Sequence, residues 1–127
     1  MLTQIALVGF GGLLGSVGRY LLSLLVTQWS GAARFPYATL AVNVIGCLAI
    51  GVVGGLATRA DVLSPTLRLF LISGLLGGFT TFSAFGYETF LLGKDSLGAM
   101  ALMNIAAQLV LGLGAVWLGH TLVLSGR

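Results

Sequence analysis

The sequence predicts an all-α integral membrane protein with four transmembrane helices in a single domain, residues 1–127. Hydrophobic residues make up 57% of the chain and charged residues only 7%, and the mean hydropathy is +1.08. A soluble domain of this length needs more polar surface than this composition supplies. The second observation is a set of four apolar segments, each long enough to cross a ~30 Å hydrocarbon core at a rise of about 1.5 Å per residue.

The predicted spans cover residues 3–28, 38–58, 65–92 and 97–124, and the connections between them are short. Small residues recur one helical turn apart within these spans, for example at Gly11 and Gly15 and at Gly51 and Gly55. Such pairs let membrane helices approach each other closely. The spans are therefore expected to form one tightly packed domain.

The third span contains an unusual stretch, residues 74–85 with the sequence GLLGGFTTFSAF. We expect the helix to break near Gly77-Gly78, because glycine costs about 1 kcal/mol in a helix interior and adopts left-handed dihedrals freely. Non-helical backbone inside a membrane must be covered by protein or line a wet cavity. The first half-helix would end in carbonyls that attract a cation, and the second would begin near Thr80 with N–H groups that favour an anion.

Positively charged side chains are divided equally between the two sides of the membrane. An even number of spans places both termini together, so the comparison sets Arg59, Arg68 and Arg127 against Arg19, Arg34 and Lys94. The positive-inside rule then gives no preferred orientation, which permits an antiparallel, dual-topology homodimer. A homodimer is also expected because four helices do not readily enclose a pathway. No basic run indicates a nucleic-acid partner.

Polar side chains within the spans are the candidates for a pathway. Arg19 is either an interfacial arginine whose head reaches water or a charge at a pathway mouth that attracts anions. Asn43 either joins helices by a hydrogen bond or offers amide protons to an anion. In the fourth span Asn104, Gln108 and Gly112 repeat every fourth residue, so this polar stripe is expected to face helix three or the pathway rather than lipid.

Aromatic and hydroxyl side chains follow the expected break. Phe79, Phe82 and Phe85 are spaced three residues apart and would share one helix face. Such a stripe either packs against other helices or turns its ring edges, which carry positive partial charge, toward an anion. Thr81 and Ser83 would add hydroxyl donors beside the rings.

The sequence contains no recognisable catalytic set, and we predict that the chain is not an enzyme. Cys47 is the only cysteine, His120 stands near the end of the fourth span, and Glu88 is the one acid near a span interior. The spans hold no paired carboxylates, no serine beside a base and no His, Cys and acid cluster.

Four sequence blocks resemble the Fluc family of fluoride channels, also called CrcB. They are residues 11–20 (GGLLGSVGRY), 39–43 (TLAVN) and 77–85 (GGFTTFSAF), followed by Glu88, and they stand in the family's order along a four-span chain. The resemblance implies a passive, fluoride-selective channel that exports fluoride from the cytoplasm across the inner (plasma) membrane. It also implies an antiparallel, dual-topology homodimer with two pathways.

The resemblance further implies roles for individual residues. Main-chain carbonyls of Gly77 and Thr80 would hold a structural Na⁺ at the dimer centre. The resemblance assigns Asn43, Phe82, Phe85, Ser83 and Thr81 to the fluoride pathway, and Arg19 matches a family position. We assign Gln108 and Asn104 to the pathway from the polar stripe alone, not from the resemblance. Ala84 replaces a threonine that the family commonly has, and the stripe of Asn104, Gln108 and Gly112 replaces aromatic or hydroxyl residues. We expect these two departures to change throughput and not the conducted ion.

Two alternatives have different functions. A small multidrug-type, proton-coupled exporter shares the four-span, dual-topology plan, but it needs an acidic residue deep in the first helix, and the first span here has none. A non-transporting membrane scaffold subunit is the other alternative. A scaffold should tolerate Asn43→Leu, whereas a channel should not.

Overall fold

A computed structural model describes residues 1–59 and 62–125 and contains four helical spans. The spans are Leu2–Ser30, Tyr37–Ala57, Pro65–Lys94 and Gly98–Ser125. All four are long and apolar enough to cross a membrane, which confirms the predicted all-helical, four-span class and identifies a multi-pass membrane protein. The predicted span ends agree with the observed ones to within two residues. Arg127, which entered the charge comparison, lies outside the described residues.

Local sequence signals mark where the helices begin and end. Helix α1 (Leu2–Ser30) ends at Gly31, whose φ of 61° suits a residue without a side chain. Helix α2 (Tyr37–Ala57) follows Pro36 directly. The third span begins after Ser64, whose hydroxyl accepts a hydrogen bond from the Leu67 N–H at 3.2 Å.

The third span consists of several helical pieces. It runs through α3 (Pro65–Leu69), a π-helical segment (Phe70–Leu76), α4 (Gly77–Phe79) and α5 (Phe82–Lys94). Between α4 and α5, Thr80 has a ψ of 158°, and Thr81 has a φ of −150° and a ψ of 111°, so both are extended. Gly77 is helical, with φ −62° and ψ −37°. The prediction that placed the non-helical residues at Gly77-Gly78 is therefore wrong in position by about one helical turn.

Gly74 and Gly78 of the third span serve close packing instead of unusual dihedrals. A Cβ atom added at Gly78 would lie 2.5 Å from the Gly12 carbonyl oxygen of α1. One added at Gly11 would lie 2.9 Å from the Gly74 Cα atom, and one at Gly15 would overlap the Leu75 carbonyl oxygen. Backbone thus meets backbone along the seam between α1 and the third span, as small residues allow in membranes.

The remaining helices form a second closely packed pair. Helix α2 packs mainly against α6 (Gly98–Ser125), whereas α1 packs mainly against the third span. Side chains added at Gly51 and Gly119 would overlap carbonyl oxygens of the facing helix. The Arg59 guanidinium donates to the Val123 carbonyl and joins the two helix ends. The spans therefore pair as first with third and second with fourth.

Candidate functional site

The side-chain amide of Asn43, on α2, forms hydrogen bonds with both the N–H and the carbonyl of Thr81. Its Nδ2 donates to the Thr81 carbonyl at 3.0 Å, and its Oδ1 accepts from the Thr81 N–H at 2.8 Å. The side-chain amide thus satisfies both backbone groups of a residue that leaves the helical ladder. This pairing explains why the extended residues are Thr80 and Thr81, although the glycines precede them.

The extended residues change the hydrogen bonding of several carbonyls, among them those of Gly77 and Thr80. In a continuous α-helix the Thr81 N–H would donate to Gly77 and the Ala84 N–H to Thr80. Here the Thr81 N–H donates to Asn43, and the Ala84 N–H donates to the Thr81 hydroxyl at 3.2 Å. The Gly77 and Thr80 carbonyls therefore lose their helical donors.

One of these carbonyls has a charged partner. The Nη1 of Arg19 donates to the Thr80 carbonyl at 3.2 Å. A carbonyl oxygen carries two lone pairs, so it can accept this bond and still face a second partner. Main-chain carbonyls are hard oxygen ligands that suit small cations, and the donor set of Gly77 and Thr80 is chemically compatible with Na⁺.

A groove with a volume of 340 Å³ collects most of the predicted pathway residues. Its lining includes Asn43, Gly77, Thr80, Thr81, Phe82, Phe85 and Gln108, and we call it the central groove. Apolar residues, among them Ile50, Ile72 and Leu76, make up much of the remaining wall. The central groove thus combines an apolar surface with a few convergent polar groups, as ligand sites commonly do.

Two of the three phenylalanines face the central groove. The rings of Phe82 and Phe85 lie 5.4 Å apart between centroids at an interplanar angle of 63°, an edge-to-face arrangement. Phe82 is 82% exposed within this single chain. Phe79 points elsewhere, with ring carbons 3.7 and 3.4 Å from where Cβ atoms would stand at Gly18 and Gly46. The prediction of one shared face is wrong for Phe79, because the extended residues separate it from α5.

Gln108 supplies the unused amide of the central groove. Its Oε1 accepts from Asn43 Nδ2 at 3.1 Å. Its Nε2 is buried and has no hydrogen-bond partner among residues 1–59 and 62–125. Both Asn43 amide protons are already donated within the chain, so the free donors belong to Gln108.

The rest of the polar stripe on α6 also faces the protein interior. Asn104 is fully buried and donates to the Thr89 hydroxyl at 2.9 Å, which in turn donates to the Phe85 carbonyl at 2.7 Å. Gly112 is buried, and a Cβ atom there would lie 3.5 Å from the Cys47 sulfur. Asn104 is not among the residues that line the central groove. Its hydrogen bond to Thr89 links it to the Phe85 carbonyl.

Arg19 and Ser83 line a second cavity, which shares Thr81 with the central groove. This recess has a volume of 460 Å³, and its lining is rich in hydroxyl groups: Ser16, Arg19, Tyr20, Ser23, Thr39, Thr81, Ser83 and Ala84. The Thr81 and Ser83 hydroxyl oxygens are 3.3 Å apart. We call this cavity the hydroxyl recess. Thr81 lines both cavities.

Three residues at the site were given no individual role in the sequence analysis. Thr39 donates to Glu88 Oε1 at 2.7 Å, and Thr89 joins Asn104 to the Phe85 carbonyl. Gly46 stands directly against Thr80. Hydroxyls inside apolar spans were the available signal for Thr39 and Thr89, but their partners lie on other helices.

Comparison with known proteins identifies the family. A family model described as CrcB-like protein, Camphor Resistance (CrcB), matches residues 6–120. A protein of Methylobacillus flagellatus named fluoride-specific ion channel FluC is 48% identical and covers 94% of both chains. Proteins with the same name from Sorangium cellulosum and Geobacter sulfurreducens are 49% and 47% identical. The alignment with the Sorangium cellulosum protein covers 88% of this chain and 87% of the relative. The alignment with the Geobacter sulfurreducens protein covers 94% of each chain.

These findings confirm two predictions made from the sequence. The resemblance to the Fluc family holds over most of the chain. The relatives are named as ion channels, so the prediction that the chain is not an enzyme is also confirmed. The chain belongs to the CrcB-like protein family.

Proposed function

We propose that this chain is a fluoride-selective, passive ion channel that lets fluoride leave the cytoplasm across the plasma membrane. The similar proteins are named for fluoride conduction. The observation that carries the proposal is the central groove, whose lining includes the edge-to-face pair of Phe82 and Phe85 together with Gln108. Gln108 Nε2 has no hydrogen-bond partner in the described part of the chain.

The chemistry of these groups suits a small, strongly hydrated anion. Burying a charge is costly unless donors replace its water. Gln108 supplies two N–H donors, and the phenylalanine rings can turn edges of positive partial charge toward the ion. A narrow pathway with donors at fixed positions would fit fluoride and accommodate the larger chloride poorly.

Passive conduction is sufficient for export. A cell interior that is negative by 100 mV drives a monovalent anion outward with about 2.3 kcal/mol. No coupled ion or nucleotide is then required. The first span also lacks the acidic residue on which a proton-coupled exporter would depend.

The proposal includes an antiparallel, dual-topology homodimer. Its support is the equal division of positive charges in the sequence and the exposure of Phe82, which a second copy would cover. The Gly77 and Thr80 carbonyls of the two copies would hold a structural Na⁺ near the two-fold axis. The ion would neutralise converging carbonyl dipoles and tie the copies together.

The direct test is fluoride efflux from liposomes that contain the purified protein. A fluoride electrode follows release after a potassium ionophore dissipates the voltage, and parallel liposomes loaded with chloride serve as the control. Rapid fluoride release without chloride release is expected. If folded, dimeric protein retains fluoride, the channel proposal fails and a scaffold role replaces it.

A further inference from the structure

We infer that Arg19 couples the two ion sites, so that an anion bound in the hydroxyl recess strengthens Na⁺ binding at the Thr80 carbonyl, and the converse. The inference rests on the proposed function, and it makes the occupancy of one ion site depend on the occupancy of the other. Arg19 is a positioning residue for the cation, because it acts on the cation only through the carbonyl that both would contact.

Arg19 contacts both sites with a single side chain. Its Nη1 donates to the Thr80 carbonyl at 3.2 Å, and the same side chain lines the hydroxyl recess. Within residues 1–59 and 62–125, this carbonyl is the one hydrogen-bond acceptor of Arg19. A guanidinium carries several N–H donors in a rigid fork, so most of them remain for a ligand in the hydroxyl recess.

The hydroxyl recess offers an anion a positive charge and further donors. The described residues that line it include Arg19 but no acid. The Thr81 hydroxyl accepts the N–H bond that caps α5 and lies 3.3 Å from the Ser83 hydroxyl. A Thr81 hydroxyl that donates to Ser83 therefore leaves the Ser83 proton for an anion. The Glu88 carboxylate, which Thr39 contacts at 2.7 Å, lies outside this lining.

The Thr80 carbonyl is held in place between the two sites. The Thr80 N–H and hydroxyl both donate to the Leu76 carbonyl, at 3.0 and 2.9 Å. The next residue, Thr81, is bound through both of its backbone groups by Asn43. The carbonyl is therefore not free to turn away from Arg19. A cation at this oxygen and the guanidinium carry the same charge and repel each other at short range.

An anion in the hydroxyl recess relieves this repulsion. It pairs with the guanidinium and reduces the positive charge that faces the Thr80 oxygen. The carbonyl then polarises more readily toward a cation. Since linked binding free energies are reciprocal, Na⁺ at Thr80 must tighten anion binding by the same factor. The hydroxyl recess thus collects anions best in molecules whose cation site is filled.

The test measures the melting temperature of the detergent-solubilised protein against Na⁺ concentration, once in fluoride and once in gluconate. N-methyl-D-glucamine salts of the same anion hold ionic strength constant. The Na⁺ concentration that gives half of the stabilisation, the Na⁺ midpoint, should fall about fivefold or more in fluoride, as allosteric couplings typically amount to. A general salt effect would raise every melting temperature without moving this midpoint.

Two matched variants assign the coupling to Arg19. In Arg19→Met the Na⁺ midpoint should already be low in gluconate, and fluoride should change it by less than about twofold. Arg34→Met removes the same charge from a side chain that is absent from the described linings of the hydroxyl recess and the central groove. It should keep the wild-type response to fluoride. A full fluoride response in folded Arg19→Met refutes the inference.

Two further measurements cover the case in which Arg19→Met does not fold. Arg19→Gln keeps an amide donor but no charge, so its Na⁺ midpoint should also be insensitive to fluoride; a wild-type response there overturns the charge argument. In the wild type, the fluoride concentration that gives half of the fluoride-induced stabilisation should fall by the same factor between low and high Na⁺. A fluoride midpoint that Na⁺ does not move refutes the coupling without any variant.

The outcomes separate this inference from the proposed function. A wild-type protein that releases fluoride from liposomes, but whose Na⁺ midpoint is the same in fluoride and gluconate, refutes the coupling and leaves the channel standing. A protein that releases no fluoride, but whose Na⁺ midpoint responds to fluoride through Arg19, contradicts the channel and supports the coupling. A wild-type protein that Na⁺ does not stabilise refutes the coupling, whatever it conducts.

Discussion

Gly46 gives a sharp test of how tightly the extended residues are held. It is buried on α2, and a methyl group added there would overlap Cγ2 of Thr80 and lie 3.4 Å from Cδ1 of Phe79. Thr80 cannot rotate freely away, because β-branched side chains are stiff and its hydroxyl donates to the Leu76 carbonyl at 2.9 Å. The Gly46→Ala variant must therefore displace the backbone of α2 or of Thr80.

The magnitude follows from these contacts. Adding one methyl group to a filled site costs about 1–3 kcal/mol, and relief by rotation of Thr80 would give up a hydrogen bond with a net value of about 0.5–1.5 kcal/mol. We expect Gly46→Ala to lower the free energy of unfolding by about 1–3 kcal/mol. Combining it with Thr80→Ser should restore most of the loss, since serine lacks the overlapping methyl but keeps the hydroxyl.

The assay is SDS-induced unfolding in mixed micelles, followed by the fluorescence of Trp29 and Trp117, with fluoride efflux as a second measurement. Gly9→Ala is the matched control, because a Cβ atom there would meet no atom within 4 Å. It should match or exceed the wild type in stability, as alanine favours helix. If the double variant is destabilised by the sum of the single effects, the contact between Gly46 and Thr80 is not the cause and the reasoning is refuted.

Three further variants test the site in other ways. Phe82→Ile and Phe85→Ile should each abolish fluoride efflux while the dimer persists in gel filtration, because isoleucine offers no ring edge; full activity in both would remove that role. If the Thr80 carbonyl holds Na⁺ as proposed, Arg19→Met should lower about tenfold the Na⁺ concentration that gives half of the thermal stabilisation of the detergent-solubilised protein, since it removes a positive charge from beside that carbonyl. An unchanged Na⁺ concentration in this melting assay contradicts the prediction. Asn104→Leu should cost about 0.6 kcal/mol in SDS unfolding, as one membrane hydrogen bond typically does, and should keep most efflux; complete loss of efflux would place Asn104 in the pathway itself.

The number and extent of the spans could be predicted because they depend on local properties. Apolar run length sets how much chain crosses a bilayer, and the short polar connections mark the ends. The inward orientation of the stripe through Asn104 and Gln108 could also be predicted. These polar side chains share one face of a regular helix, and that face is disfavoured in contact with lipid. The sequence alone therefore sufficed for the number and extent of the spans and for the inward face of this stripe.

The exact place of the extended residues could not be predicted in this way. Glycine propensity pointed to Gly77-Gly78, but the close approach of α1 uses Gly78 for packing, and Asn43 captures the backbone of Thr81 from another helix. The π-helical segment Phe70–Leu76 is likewise without a local signal and lies against α1. Propensity describes a residue within its own helix, whereas these features depend on partners more than thirty residues away.

The pairing of the first span with the third and the second with the fourth has a consequence for biosynthesis. Neither of these two helix pairs can form while only the first two spans have left the ribosome. At about 5–20 residues per second, the interval between completion of α1 at Ser30 and completion of the third span at Lys94 is roughly 3–13 s. During that time the glycine seam of α1, together with Arg19, lacks its native cover. Nascent chains truncated after the second helix should therefore be unusually open to crosslinking with translocon or insertase subunits.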